Sequence, residues 1–212
     1  MHYSTRDLLI SSEYYTKDVQ GITTQSQGFL NQLQFVNTTG SYTVNGFDFL
    51  VSKNLGDVNT SISYSFSNNN YSWRVLPNQI IRSFANNNEI RHSVNGIFDY
   101  TYKSIKVAAG VNWRTGKPFT PLNSSSPLVD GDLVFDNPNS DNIDDYLRID
   151  LSATYSFNFN KNYNGFIGIS LWNITNESNE LERTFINTND QPVTFSRRAL
   201  ERTPNFSFKL SF

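Results

Sequence analysis

The last nine residues read Pro204-Asn205-Phe206-Ser207-Phe208-Lys209-Leu210-Ser211-Phe212. Successive side chains of an extended strand point to opposite faces. Phe206, Phe208, Leu210 and Phe212 therefore share one side, and Ser207, Lys209 and Ser211 share the other. An aromatic face backed by a polar one suits a strand with lipid on one side and water on the other. A strand of a soluble sandwich alternates in the same way, so the reading depends on recurrence along the chain.

The pattern recurs. Asp7 to Lys17 reads as a strand with Leu8, Ile10, Ser12 and Tyr14 on one face. Gly46 to Leu55 places Phe47, Phe49, Val51 and Leu55 opposite Asp48, Ser52 and Asn54. After Gly56-Asp57, the stretch Val58 to Ser67 sets Val58, Thr60, Ile62, Tyr64 and Phe66 against Asn59, Ser61, Ser63 and Ser65. Two such runs around a tight turn predict a hairpin. His92 to Tyr102 and Ile105 to Arg114 form a second one around Lys103-Ser104. Tyr146 to Phe157 alternates again, Asn158 to Asn164 is a short turn, and Gly165 to Thr175 is a strand of ambiguous phase. Val19 to Asn45, Asn68 to Ile90, Gly116 to Asp145 and Glu177 to Thr203 read as long polar loops, the last with a small hairpin from Leu181 to Ser196.

The connections thus run long, short, long, short, long, short, long. Outer-membrane barrels have this asymmetry, with short periplasmic turns and long extracellular loops. The expected fold is all-β: an antiparallel, up-and-down transmembrane β-barrel segment of about eight strands, spanning 1–212 as one unit. The inward set would include Glu13, Asp48, Asn59, Asp99, Lys106, Arg114, Arg148, Asp150 and Lys209. Charges packed inside a small solid barrel would each need a partner, whereas a wide polar lumen accepts them. Lys53 alone breaks the outward face, and near the short-turn end it can snorkel to headgroups.

Composition narrows the class. Among 212 residues there are 17 Phe and 11 Tyr, the net charge is -2, and there is no Cys. The charge predicts no nucleic-acid footprint, and the lack of Cys removes disulfides and thiolate metal sites. Mean hydropathy is -0.47, and no apolar run is long enough for a spanning helix. Met1-His2-Tyr3-Ser4-Thr5-Arg6 has no apolar core and is not a secretory signal. Either a signal was removed or this is the tail of a longer chain.

Several segments, in order, resemble the C-terminal part of the barrel of TonB-dependent receptors, the active transporters of the Gram-negative outer membrane. They are Glu13 to Ile22, Gly46 to Lys53, Asn112-Trp113-Arg114-Thr115-Gly116-Lys117-Pro118-Phe119-Thr120, Tyr146-Leu147-Arg148-Ile149-Asp150-Leu151-Ser152, Leu171-Trp172-Asn173-Ile174-Thr175-Asn176 and Arg202-Thr203-Pro204, with Phe208, Leu210 and Phe212 as the barrel's C-terminal signal. The Asn and Tyr usage resembles the Bacteroidetes branch. The resemblance implies a 22-stranded barrel, of which this is roughly a third, and a plug domain and energising complex that belong to the full-length chain. It implies uptake of a scarce nutrient: a siderophore-bound iron, haem, cobalamin or oligosaccharide. It implies no enzyme activity and no cofactor.

Ligand contacts would come from the loops, with Trp73, Arg74, Asp130, Asp132, Arg197 and Arg198 as candidates, while Asp48, Asp99, Arg114, Arg148 and Asp150 would face the lumen. Asp130, Asp132, Asp136, Asp141, Asp144 and Asp145 are hard oxygen ligands that suit Ca²⁺, but the spacing of an EF-hand is missing and a solvated loop explains them. Arg197, Arg198, Glu201 and Arg202 suit contact with an anionic ligand or lipopolysaccharide, or simply a charged loop base. His92 in a Ser-His-Asp site lacks any nucleophile motif. Two alternatives stand beside the receptor: a complete eight-stranded barrel with a structural or adhesion role, and a soluble β-sandwich binding module.

Overall fold

The computed structural model describes residues 1–25, 35–75, 80–160 and 163–211. Among them there are strands and no helix. The strands are β1 (His2–Ser4), β2 (Leu8–Gln25), β3 (Phe35–Asn54), β4 (Val58–Val75), β5 (Ile80–Ala85), β6 (His92–Tyr102) and β7 (Ile105–Arg114), then the short β8 (Pro118–Phe119), β9 (Leu128–Val129), β10 (Asp132–Leu133) and β11 (Asp141–Asn142), and finally β12 (Tyr146–Asn160), β13 (Tyr163–Trp172), β14 (Glu180–Thr188), β15 (Gln191–Arg198) and β16 (Thr203–Ser211). One antiparallel sheet runs β1-β2-β3-β4-β6-β7-β12-β13-β16, with β5 attached to β4. The path is linear, and its two ends are not paired with each other among the described residues.

The eight expected strands are all present, and the tight turns at Gly56 and Lys103 have the left-handed φ of 77° and 54° that such reversals require. The hairpin expected within Leu181 to Ser196 is β14–β15, closed by Asn189 and Asp190 with φ of 52° and 55°. β1, which pairs with β2 through His2↔Ser11, was not expected from the sequence.

The register fixes which residues share a face. One row of directly opposed residues crosses eight strands as Leu8, Lys53, Thr60, Phe98, Ala109, Leu151, Leu171 and Pro204. The next runs Val58, Tyr100, Val107, Ala153, Ile169 and Phe206. These rows settle the phase of β13: Ile167, Ile169 and Leu171 belong to the apolar face, and Phe166 and Trp172 to the polar one. The other face carries rows such as Glu13, Asp48, Ser65, Ser93, Arg114 and Tyr146. All nine residues expected inward share it.

Nothing among the described residues covers the apolar face. Ile62 is 53% exposed, Ile169 60% and Phe206 71%. The one buried large apolar side chain of the described part, Ile143, lies in a loop. Lys53 sits one residue from the end of β3, beside the tight turn.

Among the described residues, parts of two segments read as loops, Val19 to Asn45 and Asn68 to Ile90, are strands. β2 continues to Gln25, β3 begins at Phe35, β4 continues to Val75, and β5 occupies part of the supposed loop Asn68 to Ile90. Trp73 and Arg74 therefore lie in β4 and not in a loop, and their side chains fall outside what is described, as does Phe212. These extensions were misread because their polarity is reversed. Past the level of Tyr14, Phe47 and Phe66, the apolar face turns polar: Thr16, Asn45 and Asn68, then Asp18, Thr43 and Asn70. Hydrogen bonds link Thr16 Oγ1 to Asn45 Oδ1 at 2.8 Å and Thr43 Oγ1 to Asp18 Oδ1 at 2.7 Å. On the opposite side the rings begin. Tyr42 meets Tyr71 edge-on at 6.1 Å, Tyr71 meets Phe84 at 6.0 Å, and Lys17 Nζ lies 5.5 Å from the Tyr42 ring centre. The apolar stretch on β4 runs from Val58 to Phe66, about 27 Å along the strand.

Ser63 and Asn95 are directly opposed on the polar face, and Val94 points the other way. Opposed Cα atoms lie about 4.5–5.5 Å apart, within disulfide range. The pair Ser63→Cys with Asn95→Cys is expected to oxidise to a disulfide detectable by mass spectrometry, and Ser63→Cys with Val94→Cys is not.

Candidate functional site

The chemistry-bearing side chains gather at the sheet end away from the tight turns. There β12 begins, β13 ends and β16 begins. Arg148 and Asp150 leave β12 on the polar face at i and i+2. Arg148 Nε bonds Asp150 Oδ1 at 2.8 Å, and its guanidinium carbon lies 5.0 Å from the Trp172 ring centre. Asp150 Oδ1 also accepts the Asn173 backbone N–H at 2.9 Å. Spacing at i and i+2 on one face favours a pair between Arg148 and Asp150 over bonds from them to a plug domain, and the two side chains do pair.

Asn173 is the centre of this cluster. It is fully buried, with φ of 51°, a conformation Asn tolerates better than most residues. Its Nδ2 donates to the carbonyls of Glu177 and Leu200 at 2.9 and 3.2 Å, and its Oδ1 accepts from the Glu177 N–H at 3.1 Å and from Thr175 Oγ1 at 3.3 Å. A left-handed residue ends β13, and its amide then organises the turn that follows. Asn179 clamps the Leu147 backbone with both ends of its amide, each at 2.8 Å. Arg202 donates from Nη2 to the Ile174 carbonyl at 2.8 Å and from its backbone N–H to Asn176 Oδ1 at 3.0 Å. Three of the sequence segments quoted above thus meet in one hydrogen-bonded knot. Arg202 joins the knot through both its backbone and its side chain.

The fourth segment shapes the loop beside it. A Cβ on Gly116 would collide with the Ile143 carbonyl, so only glycine lets the two backbones approach this closely. The Ile143 N–H reaches the Lys117 carbonyl at 3.0 Å, and Asp145 Oδ1 accepts the Gly116 N–H at 3.1 Å. Asn139 then ties this loop to the one after β5, donating from Nδ2 to the Ala85 carbonyl at 2.7 Å. The β14–β15 hairpin packs against the same loop. Phe185 lies 6.2 Å from Phe119 and 6.1 Å from Phe135, the Arg183 guanidinium stacks 4.7 Å from the Phe119 ring centre, and Asn187 Nδ2 donates to the Gly131 carbonyl at 2.6 Å. Between the three connections lies a cleft of about 530 Å³.

The candidate ligand residues Asp130, Asp132, Arg197 and Arg198 lie in a tight turn, a short strand and the β14–β15 hairpin. Asp130 and Gly131, with φ of 51° and 85°, form the two-residue turn that joins β9 to β10, and Asp132 begins β10. Among the described residues no three acidic or His side chains converge as a metal site would need. Arg197 pairs with Glu182 at 3.0 Å, and Arg198 bonds Ser178 Oγ. Of these residues only Arg197 lines the cleft. On the sheet, Asp99 pairs with Lys106 at 3.0 Å and accepts from Asn59 at 3.2 Å, while the Arg114 guanidinium stacks 4.6 Å from the Tyr146 ring centre. His92 Nδ1 shares a hydrogen bond with Tyr64 Oη at 2.8 Å on the apolar face.

Sequence reasoning missed Asn139, Asn173, Asn179, Glu180 and Arg183 as working residues. The Asp130-Gly131 and Asn189-Asp190 dipeptides were usable hairpin signals. Glu180 is nearly buried and takes hydrogen bonds from Arg183 Nε at 3.0 Å, Arg183 Nη2 and Ser196 Oγ. The bonds from Arg183 hold its carboxyl below the usual glutamate range, against the opposing effect of burial.

Comparison with protein-family models, with curated proteins and with solved structures finds no match.

Asn173→Ala removes four hydrogen bonds and places alanine at a left-handed φ. It is expected to destabilise the fold by about 3 kcal/mol or more, read from the denaturation midpoint. Glu180 has a depressed folded pKa, so its contribution is complete above the ordinary glutamate value and is lost as pH falls through the folded value. Hydrogen-exchange protection of the β14–β15 amides is expected to stay constant from about pH 8 to 5 and to fall below about pH 4.

Proposed function

We propose that this chain is the C-terminal wall of a TonB-dependent receptor in a Gram-negative outer membrane, taking up a scarce nutrient. The observation that carries this reading is the apolar face, eight strands wide, with no opposing layer among the described residues. A water-soluble sandwich would press that face against a second sheet. A lipid-facing wall exposes it, and aromatic side chains at its margins suit the interfacial girdles. Tyr102 and Tyr155, near the tight turns, are 54% and 50% exposed. Lys103 lies over Tyr102 at 5.2 Å, a cation beside an aromatic at the level where headgroups would lie.

The limits of the apolar belt support the same reading. About 27 Å along a strand tilted some 40° covers roughly 20 Å of height, close to the apolar band of about 25 Å on such barrels. Where the belt stops, strand pairing continues with polar residues outward, as strands standing beyond the membrane would. On the opposite face, Glu13 and Asp48 are direct cross-strand neighbours. Two carboxylates so placed repel, and water in a wide lumen screens them. The unpaired ends at β1 and β16 favour a piece of a larger wall over a closed eight-stranded barrel, because a membrane tolerates no bare sheet edge.

In this reading the apolar face meets outer-membrane lipid. The polar face meets the plug domain of the full-length chain, through which the energising complex acts. The cargo is an iron-siderophore, haem, cobalamin or an oligosaccharide, and the chain performs no chemistry on it.

Ile62 and Ser63 are adjacent, one on each face. Placed in the full-length chain, Ile62→Arg puts a charge on the lipid side at a cost of about 2–4 kcal/mol, and Ser63→Arg puts it on the aqueous side. Outer-membrane fractionation is expected to show loss of folded protein for the first variant and normal assembly for the second. Equal tolerance of both, or recovery of the unaltered chain in the aqueous fraction, would refute the reading.

A further inference from the structure

We infer that the connection from Gly116 to Asp145 and the β14–β15 hairpin are zipped into one unit that opens and closes as a whole, so that neither stays ordered without the other. The contacts between them carry this, whatever lies against the sheet.

The connection is itself a ribbon. It folds back on itself from base to tip: the Lys117 carbonyl accepts the Ile143 N–H, Pro118 opposes Asn142, Leu122 opposes Phe135, and Leu128 opposes Leu133 beneath the Asp130-Gly131 turn. The hairpin is a second ribbon of the same kind. A two-stranded ribbon standing alone in water is marginally stable at best, and packing against another element makes it persist.

One face of β14 supplies that packing. Residues at every second position share a face, and burial along β14 follows this period: Leu181, Arg183 and Phe185 are half-buried, while Glu182, Thr184 and Ile186 are exposed. Arg183, Phe185 and Asn187 reach the first ribbon at three heights. The Arg183 guanidinium stacks on Phe119 near the base, Phe185 lies against Phe119 and Phe135 at mid-height, and Asn187 holds the Gly131 carbonyl at the tip. Glu180 fixes Arg183 in place through a two-pronged bond. The other face of the hairpin carries Phe195, which is 55% exposed.

The ties therefore act in series. Parting the ribbons uncovers Phe119, Phe135 and Phe185 together and leaves each ribbon as a lone hairpin. Coupling of this kind is reciprocal: loosening either ribbon loosens the other to the same degree. Asn139 moors the first ribbon to the Ala85 carbonyl at the end of β5. A displacement of the hairpin thus reaches β5 through the ribbon and Asn139.

Native-state hydrogen exchange, read by mass spectrometry on the full-length chain, tests the coupling. Phe185→Ala removes two aromatic contacts. It is expected to speed exchange of the β14–β15 amides and of the amides between Leu122 and Phe135 by the same factor, at least about tenfold. Phe135→Ala, made on the other ribbon, should likewise speed both. Asn187→Ala leaves the rings in place and cuts only the tip, and about a threefold rise is expected in both ribbons. Phe195→Ala, on the exposed face of the same hairpin, should change either by less than about threefold. The proposal is overturned if Phe185→Ala or Asn187→Ala frees the hairpin while the ribbon keeps its protection, if the effect of Phe135→Ala stays on its own ribbon, or if Phe195→Ala acts as strongly as Phe185→Ala. None of these outcomes depends on where the chain fractionates, so the receptor reading stands or falls separately.

Discussion

One constraint governs this molecule: a single sheet presents two unlike surfaces, and the described chain provides no second layer for either. The six long strands β3, β4, β6, β7, β12 and β13 each have a strand neighbour on both sides, so most of the backbone is satisfied laterally. The side chains of the apolar face are not. Rows such as Val58, Tyr100, Val107, Ala153, Ile169 and Phe206 remain open. A globular domain of this size would bury such rows as its core. Here the described core amounts to Ile143 and the loop around it. Whatever lies against that face supplies what a core supplies elsewhere.

With so little apolar packing, order at the loop end comes from polar groups. Asparagine does much of this work. Asn173 and Asn179 use both ends of the amide to hold backbone, and Asn139 holds the Ala85 carbonyl with one end and the Thr120 hydroxyl with the other. Amides carry no net charge, so they can be buried without the large desolvation cost of an ion pair. They can also hold a left-handed φ, as Asn139, Asn173 and Asn176 do. The abundance of Asn, which in the sequence looks like loop composition, is in part the joinery of this end.

How much was legible followed from physics. Where one face had to be apolar, alternation was clear, and β6, β7, β12 and β16 were found nearly at their true bounds. The phase of β13 was not legible, because Phe166 and Trp172 on its polar face are as hydrophobic as Ile167 and Ile169 on the other, and only the pairing with β12 and β16 resolves it. The outer parts of β2, β3 and β4 were lost for the opposite reason: beyond the belt both composition and polarity change, and Asn, Ser and Thr imitate a loop. At the candidate site the sequence marked the right segments, from Trp113 to Thr120, Tyr146 to Ser152 and Leu171 to Asn176, without their roles. The knot joins residues more than twenty positions apart, such as Leu147 with Asn179 and Ile174 with Arg202. No local pattern reports such a distance. Asp130, Asp132, Arg197 and Arg198 attracted notice by charge alone, and the structure employs them in a tight turn, a short strand and local pairs.

The unequal strand lengths give the mouth of this wall a slope. β3 has 20 residues, and β7, three strands along the sheet, has 10. One flank is a tall palisade of paired backbone, and the other stops short and is roofed by compact, cross-tied loops. On the proposed receptor reading, a solute would meet a stiff parapet on the high side and be deflected across it towards the low side, where the roofed hollow lies. On that reading, substitutions along the parapet would alter how molecules arrive, and those under the roof which of them stay.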